Sequence, residues 1–223
     1  MGRLVNSPTV ETLALIAVVF SLQQFASLVG GLVGLTGFGV AFFALSPPLA
    51  VYPWTLVTSV YAHASLLHLL SNALALLVIG LVVEAVTTRA RFHAFFLTTG
   101  VFAGVFQVVV SGLTGSATGV LGASGAVLAL AGYALAANPV SETILDRLRL
   151  RQRAQFGLFA ALAVVVTVVT ATAGAALIAH FAGLLVGLLA GRLRLLHAGG
   201  DTDDKRGRGG SRGRGPEAST GRL

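Results

Sequence analysis

The chain has 223 residues, 55% of them hydrophobic and 10% charged, with a mean hydropathy of +0.87, an apolar content well beyond what a soluble core needs. It contains no cysteine, which excludes disulfide frameworks, thiolate nucleophiles and cysteine-ligated zinc or iron–sulfur sites. The net charge of +7 is informative by position rather than by sum, because basic residues of a membrane protein gather on cytoplasmic segments.

A bilayer-spanning helix takes about 20 apolar residues. Six segments meet that need, roughly 10–29, 62–85, 92–111, 122–138, 155–171 and 173–193. Backbone polarity requires them to be helices, since an open sheet cannot sit in hydrocarbon. The predicted fold class is therefore all-α: a polytopic membrane protein with a six-helix membrane domain over 10–197, preceded by a short N-terminal segment, 1–9. The first span is as long as a bilayer helix and is followed by Gly-rich apolar sequence, so it is read as part of the mature fold rather than as a cleavable signal. Residues 30–61 are apolar but interrupted by Gly30, Gly31, Gly34, Gly37, Gly39, Pro47, Pro48 and Pro53, which predicts a loop lodged partly in the outer leaflet. Residues 198–223 are rich in Gly, Arg, Asp and Lys, with almost no large apolar side chain, and are expected to form a disordered basic tail.

With the N-terminus inside, the inner segments are 1–9, 86–91, 139–154 and 194–223. All fifteen Lys and Arg residues then lie inside or at the inner boundary, and the outer segments 30–61, 112–121 and the turn near 172 have none. This predicts a multi-pass protein of the cell membrane with both termini cytoplasmic. The second, fourth and sixth spans all run from outside to inside, so their N-terminal thirds share one layer in the outer half of the bilayer. That layer holds His63, His68, Asn72, Ser124 and His180. Positions five to eight residues into a helix would lie about 7–12 Å below its outer end.

Polar groups at such depth are costly and usually functional. Ser124 lies in Gly122-Ala123-Ser124-Gly125 at the start of the fourth span, where backbone N–H groups lack intrahelical partners and can stabilise an anion. Small residues at this place also suit helix packing. Gly125, Ala129, Gly132 and Ala136 form one face, and Gly183, Gly187 and Gly191 another at four-residue steps; if the faces meet, Ser124 comes within hydrogen-bond reach of His180. An imidazole titrates near neutrality, so His180 can accept the serine proton and return it to a leaving amine. All eight acidic residues fall on the inner side or in the tail, which predicts a Ser–His dyad with no carboxylate behind it. His68 and Asn72 stand four apart on one helical face and can donate to a developing oxyanion. His63 lies off that face and reads as a structural residue of the helix start or loop.

The run His63-Ala-Ser-Leu-Leu-His68-Leu-Leu-Ser-Asn72, then Gly122-Ala-Ser124-Gly125, then Ala179-His180-Phe-Ala-Gly183-Leu-Leu-Val-Gly187, resembles the pattern of rhomboid intramembrane proteases, particularly the six-helix prokaryotic form. The resemblance covers about 10–193. It implies that Ser124 and His180 form the dyad and that His68, Asn72 and the Ser124 backbone N–H build the oxyanion hole. Trp54 resembles the tryptophan of that family's first loop and Glu84 an acid at the inner end of its second helix, both structural. Leu128 stands where many members carry an aromatic residue against the catalytic histidine, and Thr55 stands where an arginine is frequent. The resemblance implies an endopeptidase acting on single-pass transmembrane proteins in a lipid environment, cleaving near the outer face, with no cofactor and no metal.

Two other readings compete: a small transporter using the buried His, Ser and Asn as a proton or solute path, and an inactive rhomboid-like binder of membrane helices. The second ordinarily requires loss of the nucleophile or base, and both are present. No H-E-x-x-H helix and no paired membrane aspartates occur. Nucleic acid is not an expected partner, because the basic tail has no aromatic residue for stacking.

Overall fold

The computed structural model describes residues 6–115, 119–138, 151–169 and 176–198. Residues 139–150 of the predicted inner segment 139–154, the turn near 172 and all but the first residue of the predicted tail 198–223 lie outside the described residues. Regular structure within them is helical: α1 (Pro8–Leu32), α2 (Phe38–Phe43), α3 (Thr55–Tyr61), α4 (Leu66–Glu84), α5 (Arg89–Leu113), α6 (Ser124–Ala136), α7 (Gln152–Val169) and α8 (Leu177–Arg192). By length and composition α1, α4 and α5 can each cross a membrane, and α6 to α8 are shorter apolar helices.

Short polar side chains set the helix starts. Ser7 accepts from the Val10 N–H and is followed by Pro8 at the first helical position of α1, Ser65 accepts from the His68 N–H at 3.2 Å, and Thr88 accepts from the Arg91 N–H at 3.3 Å. The Ser65 cap starts α4 four residues later than the apolar pattern suggests. His63 therefore lies in the connector before α4 and not on the helix. Within 30–61, read from sequence as a loop, stand two short helices, α2 and α3. The turn into α2 uses Gly34 and Gly37, both at positive φ, and the surrounding glycines and prolines mask the six- and seven-residue helices between them.

Bulky side chains face outward and small ones inward. Leu22, Phe25 and Leu28 on α1 and Leu67, Leu70 and Leu74 on α4 are exposed, whereas α6 buries Gly125, Ala126, Ala129, Gly132 and Ala136 along with Val127, Leu130 and Tyr133. This arrangement suits lipid as solvent, where association relies on close backbone approach rather than on hiding apolar surface. At 13 residues α6 is only about 20 Å long; it is the central helix, packed on α4, α5 and α8. The main core joins Ile16, Leu76, Val83, Phe92, Phe96, Leu130 and Tyr133.

Polar contacts fasten one end of the bundle. Glu84 accepts from the Ser7 hydroxyl at 2.7 Å and the Thr9 N–H at 3.2 Å, tying the end of α4 to the start of α1. Glu11 pairs with Arg89 and His93, each at 2.8 Å. Arg91 donates to the His197 carbonyl, and the Tyr133 hydroxyl lies 2.7 Å from His197 Nδ1.

Candidate active site

The two small-residue faces meet. A Cβ on Gly183 would run into the Gly125 carbonyl oxygen and one on Gly187 into that of Ala129, while one on Gly132 would stand 2.5 Å from the Leu184 carbonyl oxygen. With main chain on main chain, the first turn of α8 lies beside the first turn of α6. Ser124 Oγ is 2.9 Å from His180 Nε2. Ser124 is the first residue of α6 and His180 the fourth of α8, so both sit nearer their helix starts than the five-to-eight-residue depth expected from the apolar segments. No side chain caps α6, and its first backbone N–H groups have no intrahelical carbonyl to bond.

The chain reaches Ser124 along a constrained path. Leu45 in the first loop and Val120 exchange two backbone hydrogen bonds, both 2.9 Å, in an isolated antiparallel bridge. The Gly122 N–H donates to the Ser59 carbonyl at 2.8 Å. Gly122 has φ +130°, and a Cβ there would lie 2.7 Å from His68 Cε1; glycine is required both for the backbone shape and for the imidazole against it.

His68, on the first turn of α4, thus borders the approach to Ser124. Asn72 is buried one turn further on, and its Nδ2 donates to the His68 carbonyl at 2.9 Å. A carboxamide carries two N–H bonds, so this leaves one for another acceptor. His63 is fully buried, its ring 5.0 Å from that of His68 in an edge-on arrangement. Its Nδ1 lies 3.1 Å from the Tyr61 carbonyl. His63 acts as a wall for His68.

Trp54 donates to the Phe42 carbonyl at 3.1 Å and packs against Phe42 and Tyr52, holding the first loop together. Thr55 is buried and donates to the Tyr52 carbonyl at 2.6 Å. Leu128 packs against the cluster of Phe159, Leu184 and Leu188. Among the described residues His180 Nδ1 is buried without a hydrogen-bond partner.

Two glutamines escaped the motif reading. Gln23 in α1 is fully buried, donating to the His63 carbonyl at 3.0 Å and accepting from the His63 N–H at 3.1 Å. Gln107 in α5 accepts from the N–H groups of Ile178 and Ala179. Gln107 is a carboxamide inside an apolar stretch of α5, and its partners lie at a helix start, where backbone N–H groups need acceptors.

The model of the rhomboid domain matches residues 51–197, which contain α3 to α8 and the four residues Ser124, His180, His68 and Asn72. Comparison with curated proteins gives no significant match. The domain match covers about two thirds of the chain, and the apolar helices make it a multi-pass membrane protein: the chain belongs to the rhomboid family of intramembrane proteases.

Proposed function

We propose that this protein is an active intramembrane serine endopeptidase with Ser124 as nucleophile and His180 as general base. The observation that carries the reading is the 2.9 Å contact between Ser124 Oγ and His180 Nε2, at a helix start whose free N–H groups can meet an oxyanion. Ser124 Oγ attacks the scissile carbonyl carbon as its proton passes to His180 Nε2, and the carbonyl electron pair moves onto oxygen. The Ser124 N–H, His68 and Asn72 stabilise that oxyanion. Collapse of the adduct expels the amine, which takes the proton from His180; water then attacks the acyl-serine in the same way and releases the acid.

The substrates are single-pass transmembrane proteins cut near the outer face. Six spans, a first loop seated partly in the outer leaflet, cytoplasmic termini and a basic cytoplasmic tail complete the proposal, supported by the one-sided placement of Lys and Arg and by the exposed aromatic side chains Phe38, Phe42, Tyr52 and Trp54 of that loop. Purified protein should cleave a single-span test substrate whose helix contains small residues. Ser124→Ala and His180→Ala should each remove that cleavage while remaining folded in detergent, since nucleophile and base act as one unit. Ordinary cleavage by either folded variant would exclude the dyad.

A further inference from the structure

The catalytic reading leaves the orientation of His180 without an agent. In a serine triad a carboxylate on Nδ1 holds the imidazole; here Nδ1 is buried with no partner among the described residues. The ring must then be aimed by the main chain that bears it. A helix begins with four N–H groups that have no carbonyl one turn back within the helix, and in α8 those of Leu177, Ile178 and Ala179 are among them. The His180 N–H reaches the Ala176 carbonyl at 3.0 Å. Ala176, the N-cap residue, has no side-chain acceptor to offer.

Gln107 supplies one from another helix. Its Oε1 accepts from both the Ile178 and Ala179 N–H groups at 3.1 Å, so one carboxamide oxygen takes two of the orphan donors immediately before His180. On the other side of the same turn, a Cβ on Gly125 would lie 3.6 Å from the Ala179 carbonyl oxygen. The Ala179 residue is thus bounded by α5 through its N–H and approached by α6 near its carbonyl.

We propose that Gln107 is the positioning residue of the Ser124–His180 pair: by capping α8 from α5 it fixes the turn that bears the base, doing through the backbone what a carboxylate on Nδ1 does in a triad. This rests on the catalytic reading above. It does not make Gln107 a participant in the chemistry, since its contacts are with main-chain atoms of α8.

The test uses the full chain in detergent, with Gln107→Met, similar in length but without the acceptor, and Gln107→Glu, which keeps an acceptor and suits a helix N-terminus. The readouts are the rate at which a fluorophosphonate reporter labels Ser124, kcat and KM on a single-span test substrate, and amide exchange over 176–181. Gln107→Met should lower the labelling rate and kcat about ten- to a hundredfold, as small misplacements of reacting groups do, with KM changed less than about twofold and faster exchange at Ile178 and Ala179. Gln107→Glu should return labelling to near the parental rate. A folded Gln107→Met protein labelled at the parental rate overturns the proposal, as does equal impairment of the Met and Glu variants. If Gln107→Met does not fold, Gln107→Asn, which withdraws the same oxygen by one carbon, replaces it with the same two outcomes. Absence of labelling in the parent protein itself would instead overturn the dyad and this role together.

Discussion

A carboxamide that donates to the carbonyl of the residue one turn before it has one N–H left, and for Asn72 that hydrogen is what an oxyanion would receive. His68 is set against Gly122 and backed by His63, so its ring is packed into place rather than left to find a position. If both residues stabilise charge that exists only in the transition state, Asn72→Ala and His68→Ala should each lower kcat about ten- to a thousandfold with little change in KM. Steady-state kinetics on a single-span substrate checks this, and a fall in melting temperature with unchanged kcat would make the pair structural. The four residues of the proposed chemistry are legible from residue type and spacing alone. Gln23 and Gln107 are not, because their partners are backbone groups 40 and about 71 residues away, and no spacing rule announces a side chain that caps a distant chain segment.

At the scale of the helices, the α6–α8 contact decides whether Ser124 and His180 meet. A Cβ on Gly187 would collide with the Ala129 carbonyl, and a carbonyl in a helix cannot turn aside as a flexible side chain can. Gly187→Val should force the helices apart, costing about 2 kcal/mol or more by overpacking, and should reduce serine labelling about a hundredfold through misplacement of the base. Gly157→Ala on α7, where nothing lies within 4 Å of the added carbon, serves as the control and should leave both melting and labelling unchanged. The small-residue faces are readable from four-residue periodicity, which is why the juncture of α6 and α8 follows from the sequence. Helix starts are less so: hydropathy sees apolar runs and not the Ser65 cap, which excludes His63 from α4, nor the left-handed Gly122, which delays α6 to Ser124. The same blindness hides α2 and α3 among glycines and prolines.

For the molecule as a whole, the placement of Lys and Arg supports the proposed orientation. A reporter fused after Leu223 should be cytoplasmic, and a tag in the 139–150 segment likewise; labelling of either from outside intact cells would reverse the topology and remove the argument for an outward-facing site. One end of the bundle is drawn together by Glu84, Glu11 and His197, and the opposite end carries the proposed chemistry. There the bridge between Leu45 and Val120 joins segments some 75 residues apart. During synthesis the first loop emerges early, and residues 119–122 only after α4 and α5 have been made, so this contact must await the insertion of both helices. Until it closes, the peptide leading to Gly122 has no partner from Leu45 to shape it. On the proposed chemistry, the path to Ser124 is thus shaped by a segment made long before it.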